Sequence, residues 1–410
     1  MTVDADALLA ELHALAAISD CPEPPPAVTR VVFTETDLRA RAYFTSLCEL
    51  AGLTVRVDPI GNTFARWEGS EPDLPAVATG SHIDAIPHAG MYDGTVGVLG
   101  GLEAIRALQR KSIKPRRSIE LILFTSEEPT RFGVGCTGSR MMSGALSPKQ
   151  LSELTDESGD NYDTVRQAAG FTGELADVAL PQGHYHAFVE LHIEQGPELE
   201  AAGLDIGVVT AIAAPATVEF TLTGEGGHAG AVLMPKRKDA LNAAAEIVSA
   251  IESLANSSPS SDLVATVGRL EVHPGAVNSI PSRVWFTLDL RDIDGENRNA
   301  LLEKITAAAQ EVANRRGVAL EWSVLNADPP ATCADAVIAA AEQASAGLQH
   351  RRMISRAYHD SLFMARIAPT GMVFIPCRGG VSHRPDEFST PEQIAGGVKV
   401  LTETLATLAQ

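Results

Sequence analysis

Four short, almost wholly apolar runs constrain this chain most, because each delivers a histidine or an acidic pair at or just beyond its C-terminal end. PAVATG (75–80) leads to Ser81 and His82. SIELILFT (118–125) leads to Glu127 and Glu128, and AFVELHIE (187–194) carries His192. TGMVFIP (370–376) precedes a glycine-rich turn that holds His383. Runs of this length with no polar alternation fit strands covered on both faces, as in parallel sheets. Between them lie stretches with apolar residues at helical spacing, such as 36–51 (Leu38, Ala42, Leu47, Leu50) and 95–110 (Val96, Leu99, Leu102, Ala104, Leu108). Helical patterns return at 334–346, 360–366 and 391–408. Alternation of strand and helix predicts an α/β fold, a mostly parallel mixed sheet with flanking helices. Reactive side chains at strand ends are where open α/β sheets bind ligands.

Near residue 210 the pattern changes. ATVEFTLT (216–223) alternates apolar and polar residues, as a half-exposed strand does. A helix is expected at about 236–254, strands at 263–272 and 283–291, a helix at 295–316 and a strand at 318–324. That order, β-α-β-β-α-β, is the ferredoxin-like α+β arrangement. The expected organisation is a catalytic domain in two sequence pieces, 1–211 and 328–410, with a smaller domain inserted at 212–327. A length of 410 residues agrees with more than one domain.

With 52 acidic and 32 basic side chains the formal charge is −20. A field of that sign repels phosphate backbones and anionic lipid, so neither nucleic acid nor a membrane surface is an expected partner. No apolar run approaches the roughly 20 residues of a membrane span. MTVDADALLAELHALAA lacks the basic and apolar regions of a signal peptide and reads as an amphipathic helix. Five scattered cysteines without a CxxC pair suggest free thiols in a reducing compartment, and the expected location is the cytoplasm.

The strand ends carry ligand-type chemistry. In GSHIDAIPHAGMYDGTVGVLGG (80–101), His82 leaves a strand, Asp84 follows two residues on, and Asp93 opens a helix. Imidazole and carboxylate groups on rigid element ends suit a divalent metal. Asp84 is placed to orient the ring of His82, and Asp93 has two oxygens with which to bridge two ions. Glu127 and Glu128, adjacent at a strand end, diverge, so Glu128 can ligate while Glu127 serves as the base toward water. His192 and His383 complete a set of three imidazoles, one bridging Asp and one Glu. Taken singly, each histidine could be an ordinary structural one; the argument is joint. No cysteine takes part, and the set suits Zn2+, Mn2+, Co2+ or Ni2+ without choosing among them.

These motifs, in this order from about residue 36 onward, resemble the amidase/hydantoinase/carbamoylase branch of the dinuclear metallopeptidase-like hydrolases. LHIEQGP (191–197) sets that branch apart from related aminoacylases and dipeptidases. The resemblance implies His82, Asp93, Glu128, His192 and His383 as ligands of two metal ions, Asp93 bridging, and Glu127 as catalytic base. It implies that His228 in GEGGHAG stabilises the developing oxyanion, and that Asn278, Arg291, Gln195 and His359 contact substrate. LFTSEEPTRFG, GVVTAIAAPA, GGHAGAVLMP, SRAYHDSLFMARI and GMVFIPC place the chain near one subgroup that acts on small ureido acids. Carbamoylases and allantoate amidohydrolases usually show Gly-His-Asp-Ala where Tyr358, His359, Asp360 and Ser361 stand here, and the Tyr358 phenol could hydrogen-bond a hydroxyl or ureido group. An N-carbamoyl amino acid or allantoate remains an alternative substrate. The resemblance further implies Mn2+ as the favoured metal and a homodimer joined through an inserted dimerisation/lid domain. His13, His88, His184, His186, His273 and His350 match no functional position, and Cys136 has no base partner in sequence.

Overall fold

The computed structural model describes every residue except 1, 22 and 25. The chain divides into two compact units. The first comprises residues up to Thr210 together with Thr332–Ser355 and His359–Gln410; the second comprises Ala211–Ala331 and Arg356–Tyr358.

The first unit is built on a mixed sheet. Its central strands run Thr370–Ile375, Tyr185–Ile193, Ala76–Ser81, Ile119–Leu123 in spatial order, and these four are mutually parallel. Thr63–Trp67 and then Thr54–Val57 extend one side antiparallel, and Ile206–Ile212 pairs antiparallel with Thr370–Ile375 on the other. Three of the central strands are buried at every position, as their apolar runs predict. Alternate residues serve opposite faces. Ala76, Ala78, Ile122 and Phe124 join a cluster with Met141, Met142, Tyr162 and Phe188. Thr79 and Leu121 face the helix Thr95–Arg110 instead. That helix lies close against the sheet: a Cβ on Gly97 would stand 2.5 Å from the Leu191 carbonyl oxygen, so glycine is required there. The last helix, Pro391–Leu408, starts on a reciprocal capping box between Thr390 and Gln393 with proline at its first turn.

The strand His350–Ser355, which pairs with Ile206–Ile212, is not evident in the sequence. HRRMIS opens on three polar or basic side chains, and only Met353 and Ser355 are buried, so its apolar signal is too short to register. The short helices Thr137–Met142, Pro148–Glu153 and Tyr162–Ala168 are likewise too brief for a period to emerge.

The second unit has strands in the order Val264–His273, Arg283–Asp292, Ala214–Thr223, Ala319–Ala327, every neighbour antiparallel. Along the chain its main elements read β-α-β-β-α-β. Ala240–Asn256 and Gly295–Arg316 cover one face, burying Val218, Phe220, Leu222, Val284, Phe286 and Leu288. The rings of Phe220 and Phe286 stack 4.9 Å apart. The longer helix is started by Asp294, which accepts hydrogen bonds from Glu296 N and Asn297 N, and is stopped by Gly317 in the left-handed conformation. Among the described residues no helix is long and apolar enough to cross a membrane.

Candidate metal centre

Because the four central strands are parallel, their C-terminal ends lie along one edge of the sheet, and the side chains that follow them converge there. His82 comes directly after Ala76–Ser81, and Glu127 and Glu128 come four and five residues after Leu123. His192 is the penultimate residue of its strand, and His383 follows Thr370–Ile375 by a turn. Asp93 comes from the loop before Thr95–Arg110 and is the centre of the arrangement. Its Oδ1 lies 3.2 Å from His192 Nε2 and 3.5 Å from His82 Nε2. Its Oδ2 lies 3.2 Å from His383 Nε2, which is 3.3 Å from Glu128 Oε1. Two donor triads, His82–Asp93–His192 and Asp93–Glu128–His383, therefore share one carboxylate.

The residues fit a pair of divalent ions. Nitrogen and oxygen ligands about 2.0–2.2 Å from a common cation stand roughly 3.3–3.5 Å from one another in tetrahedral geometry, close to the separations around Asp93. Electrostatics point the same way. Burial, followed by the negative charge of Asp93, pushes the Glu128 carboxyl up to about 7. Burial would lower His82, but the carboxylates of Glu127, Asp93 and Asp84 override it and raise its pKa well above the usual value. The hydrogen bond to Asp93 brings His383 to about 9. Buried acids that hold protons on neighbouring imidazoles form a site that a cation can enter by displacing those protons.

The surrounding groups fix these side chains. His82 Nδ1 is 3.0 Å from the backbone carbonyl of Asp84 and 3.7 Å from its carboxylate, so the carbonyl holds the ring. The Asp84 side chain instead accepts hydrogen bonds from the amides of Glu127 and Glu128 at 3.2 and 3.0 Å, aiming both acids. His192 donates from Nδ1 to the Ile193 carbonyl at 2.9 Å. Gly94, at φ 67°, leaves the space that His82 occupies: a Cβ there would fall 2.4 Å from His82 Nε2.

Glu127 is buried beside His82, with Oε2 3.7 Å from His82 Nε2. Burial, then the charges of Glu128, Asp360 and Asp93, hold its pKa well above the usual value against the pull of His82. The Cys136 thiol points at Glu127 Oε1, 3.6 Å away. Gln195 donates to Asp93 Oδ2 at 2.7 Å, while its Oε1 is buried and meets no hydrogen-bond donor among the described residues. His359 packs edge-on against His192, ring centroids 4.6 Å apart.

The remaining expected substrate residues belong to the second unit. His228 is exposed on a two-residue strand, its Nδ1 accepting from Gly230 N at 3.1 Å. The Asn278 carbonyl accepts from Ala229 N. Arg291 makes a bidentate ion pair with Asp289 and donates to the Arg356 carbonyl at 2.8 Å. The Tyr358 hydroxyl donates to Asp328 Oδ2 at 2.5 Å.

Three groups around the metal centre are not evident from sequence. Glu387 accepts from the amides of Tyr92 and Asp93 at 2.8 and 3.0 Å, and Ser382 Oγ lies 2.8 Å from Asp93 Oδ2 and 2.9 Å from Glu387 Oε2. Cys136 is the third. Of the three, only Cys136 carries backbone strain, which it shares with Ser126, Gln195 and His383: all four have φ between 55° and 58° without being glycine. Each such conformation costs roughly 1–2 kcal/mol, and such outliers gather at functional sites.

Residues 78–407 match the profile of Peptidase family M20/M25/M40. Ureidoglycolate hydrolase of Arabidopsis thaliana is 54% identical over 418 residues, an alignment covering 100% of this chain and 87% of that protein. An N-carbamoyl-L-amino acid amidohydrolase of Geobacillus stearothermophilus is 41% identical, with 95% of each chain covered. Among solved structures, AtUAH in complex with glyoxylate superposes with a TM-score of 0.90 at 53% identity, covering 100% of this chain and 98% of that one. AtUAH in complex with (S)-hydroxyglycine matches equally well.

Proposed function

This chain belongs to Peptidase family M20/M25/M40, and from that premise we propose that it is a metal-dependent amidohydrolase of small ureido acids, with (S)-ureidoglycolate as substrate. The observation that carries the reaction class is the single carboxylate of Asp93 shared by two donor triads, with Glu127 beside them. His82, Asp93 and His192 would hold one ion, and Asp93, Glu128 and His383 the other. Mn2+ is the proposed working metal; the donor set also suits Zn2+, Co2+ and Ni2+. When bound, the ions supply Lewis-acid polarisation of water and of the scissile carbonyl.

The chain's own residues do the rest. Glu127 accepts a proton from the attacking water and returns it to the leaving nitrogen. Asp84 fixes the direction of Glu127 through the backbone amide. His228 donates to the oxygen that gains charge, a contribution of roughly 3–4 kcal/mol for one well-placed donor. Arg291 and Asn278 hold the substrate carboxylate and neighbouring oxygens, the guanidinium fork matching a carboxylate. Gln195, His359 and Tyr358 contact the ureido and hydroxyl groups. Water adds to the ureido carbon and the C–N bond breaks, giving carbamate and hydroxyglycine. Carbamate decays to carbon dioxide and ammonia, and hydroxyglycine to glyoxylate and a second ammonia.

The inserted unit is proposed as the dimerisation and lid domain. Its edge strands and the exposed Trp322, Val324 and Leu325 offer a surface to a second copy. Five free cysteines, four of them buried, support a reducing compartment, and the cytoplasm is the proposed location.

The test is a substrate panel on metal-stripped and then Mn2+-restored protein. Glyoxylate and ammonia should appear from ureidoglycolate, only after restoration, and faster than any product from allantoate or N-carbamoyl-amino acids. Faster turnover of either rival would refute the substrate assignment and leave the amidohydrolase class standing. Full activity in the stripped protein would end the metal assignment.

A further inference from the structure

We propose that Cys21, Glu23 and His88 form a separate surface site for a single thiophilic divalent ion, zinc before manganese. Cys21 Sγ lies 3.4 Å from His88 Nδ1, and one ligand atom from each of the three residues falls within 4.8 Å of the others. A tetrahedral zinc with Zn–S about 2.3 Å and Zn–N about 2.0–2.1 Å separates sulfur from nitrogen by roughly 3.5 Å, so the pair needs almost no movement to share an ion. Glu23 supplies a third ligand, and water the fourth.

The two main ligands hang on one small scaffold. Ser19 Oγ accepts hydrogen bonds from Cys21 N at 3.0 Å and Thr29 N at 2.8 Å, and Thr29 Oγ1 accepts from His88 N at 2.9 Å. The strand Val28–Arg30 pairs with Ala85–Ala89, which holds the two segments side by side. His88 adopts φ 57°, a left-handed conformation that non-glycine residues seldom take. Cys21 is half-buried and unbridged, and Glu23 and His88 are exposed, so an ion can reach all three. Binding replaces the thiol proton, which leaves to solvent as the sulfur–metal bond forms. The ligand types separate this site from the one around Asp93: a thiolate favours zinc or cobalt, whereas the sulfur-free set also accepts manganese.

The proposal does not depend on the catalytic reading, and its test is spectroscopic. The full chain is first saturated with Mn2+ and then titrated with Co2+. Among the proposed metal ligands only Cys21 can give a thiolate-to-cobalt charge-transfer band, because the ligands around Asp93 contain no sulfur. We expect that band to grow to one ion per chain, to vanish in Cys21→Ser, and to weaken at least tenfold in apparent affinity in His88→Asn, where asparagine tolerates the left-handed backbone. Added Zn2+ should remove the band and protect Cys21 from a water-soluble alkylating agent, while excess Mn2+ should do neither. Absence of the band in the unmodified chain, or its persistence in Cys21→Ser, overturns the proposal and leaves a simple thiol–imidazole hydrogen bond.

Discussion

The two large sheets of this chain solve opposite problems. In the first unit, Ala76–Ser81, Ile119–Leu123 and Thr370–Ile375 are buried at every position, whereas in the second Arg283–Asp292 alternates buried with half-exposed residues and Ala319–Ala327 is mostly exposed. A strand covered on both faces can meet a small molecule only at its end. Parallel neighbours bring those ends together, so ligand-type side chains scattered from residue 82 to residue 383 gather at one edge. An alternating antiparallel strand has a free face instead, so it provides surface. Chemistry is concentrated by the first design and area is presented by the second.

The sharpest way to break that contrast is Glu127→Gln. The substitution removes the proton acceptor and leaves the proposed ligands in place, so kcat should fall by roughly 10²–10⁴-fold with metal content, read by elemental analysis, unchanged. Unaltered turnover would show that the strand-end acid is not the base. Next in size is Phe286→Ala, which empties the stacked pair under the antiparallel sheet. It should cost about 3–5 kcal/mol in denaturant unfolding of the second unit, with metal stoichiometry in the folded protein unchanged. Loss of bound metal under native conditions would show that the two designs are not separable.

Glu387→Gln probes the support behind Asp93. Weakened acceptance from two backbone amides and Ser382 should lower metal affinity by roughly 10–100-fold, measured by chelator competition; unchanged affinity would remove Glu387 from the site's support. The smallest effect belongs to Cys136→Ala. The thiol is a weak donor, so the change is expected near the low end of the 0.5–1.5 kcal/mol range for a hydrogen bond: roughly a two- to threefold fall in kcat, with Cys136→Ser restoring it. Identical pH–rate profiles in all three proteins would show that the contact with Glu127 carries no function.

Much of the strand and helix framework was legible in the sequence, for definite reasons. The helix expected at 95–110 is Thr95–Arg110, and the one expected at 295–316 is Gly295–Arg316, because each carries apolar residues at helical spacing and the second is also stopped by Gly317. His350–Ser355 was hidden because a strand that buries only two residues leaves no pattern. At the candidate metal centre, His82, Asp93, Glu128, His192 and His383 stood out because imidazole and carboxylate groups at the ends of apolar runs have few structural uses. Glu387 did not, since an acid in the polar segment HRPDEFS looks like any exposed charge until the fold buries it beside Asp93. Cys136 gave no signal because its partner is an acid nine residues away, brought to it by a turn. Asp84 shows a finer limit: its position two residues after His82 suggested that its carboxylate holds the ring, but the backbone carbonyl takes that place and the carboxylate turns to the amides of Glu127 and Glu128.

By itself, then, the order of residues determined which segments are buried on both faces, which alternate, and which side chains stand at their ends, since burial and periodicity are properties of a short stretch of chain. Only the tertiary structure decided that one Asp93 carboxylate faces two triads, that Glu387, Ser382 and Cys136 stand behind them, and that Cys21 meets His88. Most of those are contacts between segments tens to hundreds of residues apart, and the Cys136–Glu127 contact, nine residues apart, is closed by a turn. Their distances follow from parallel pairing and helix packing, and no local pattern encodes them.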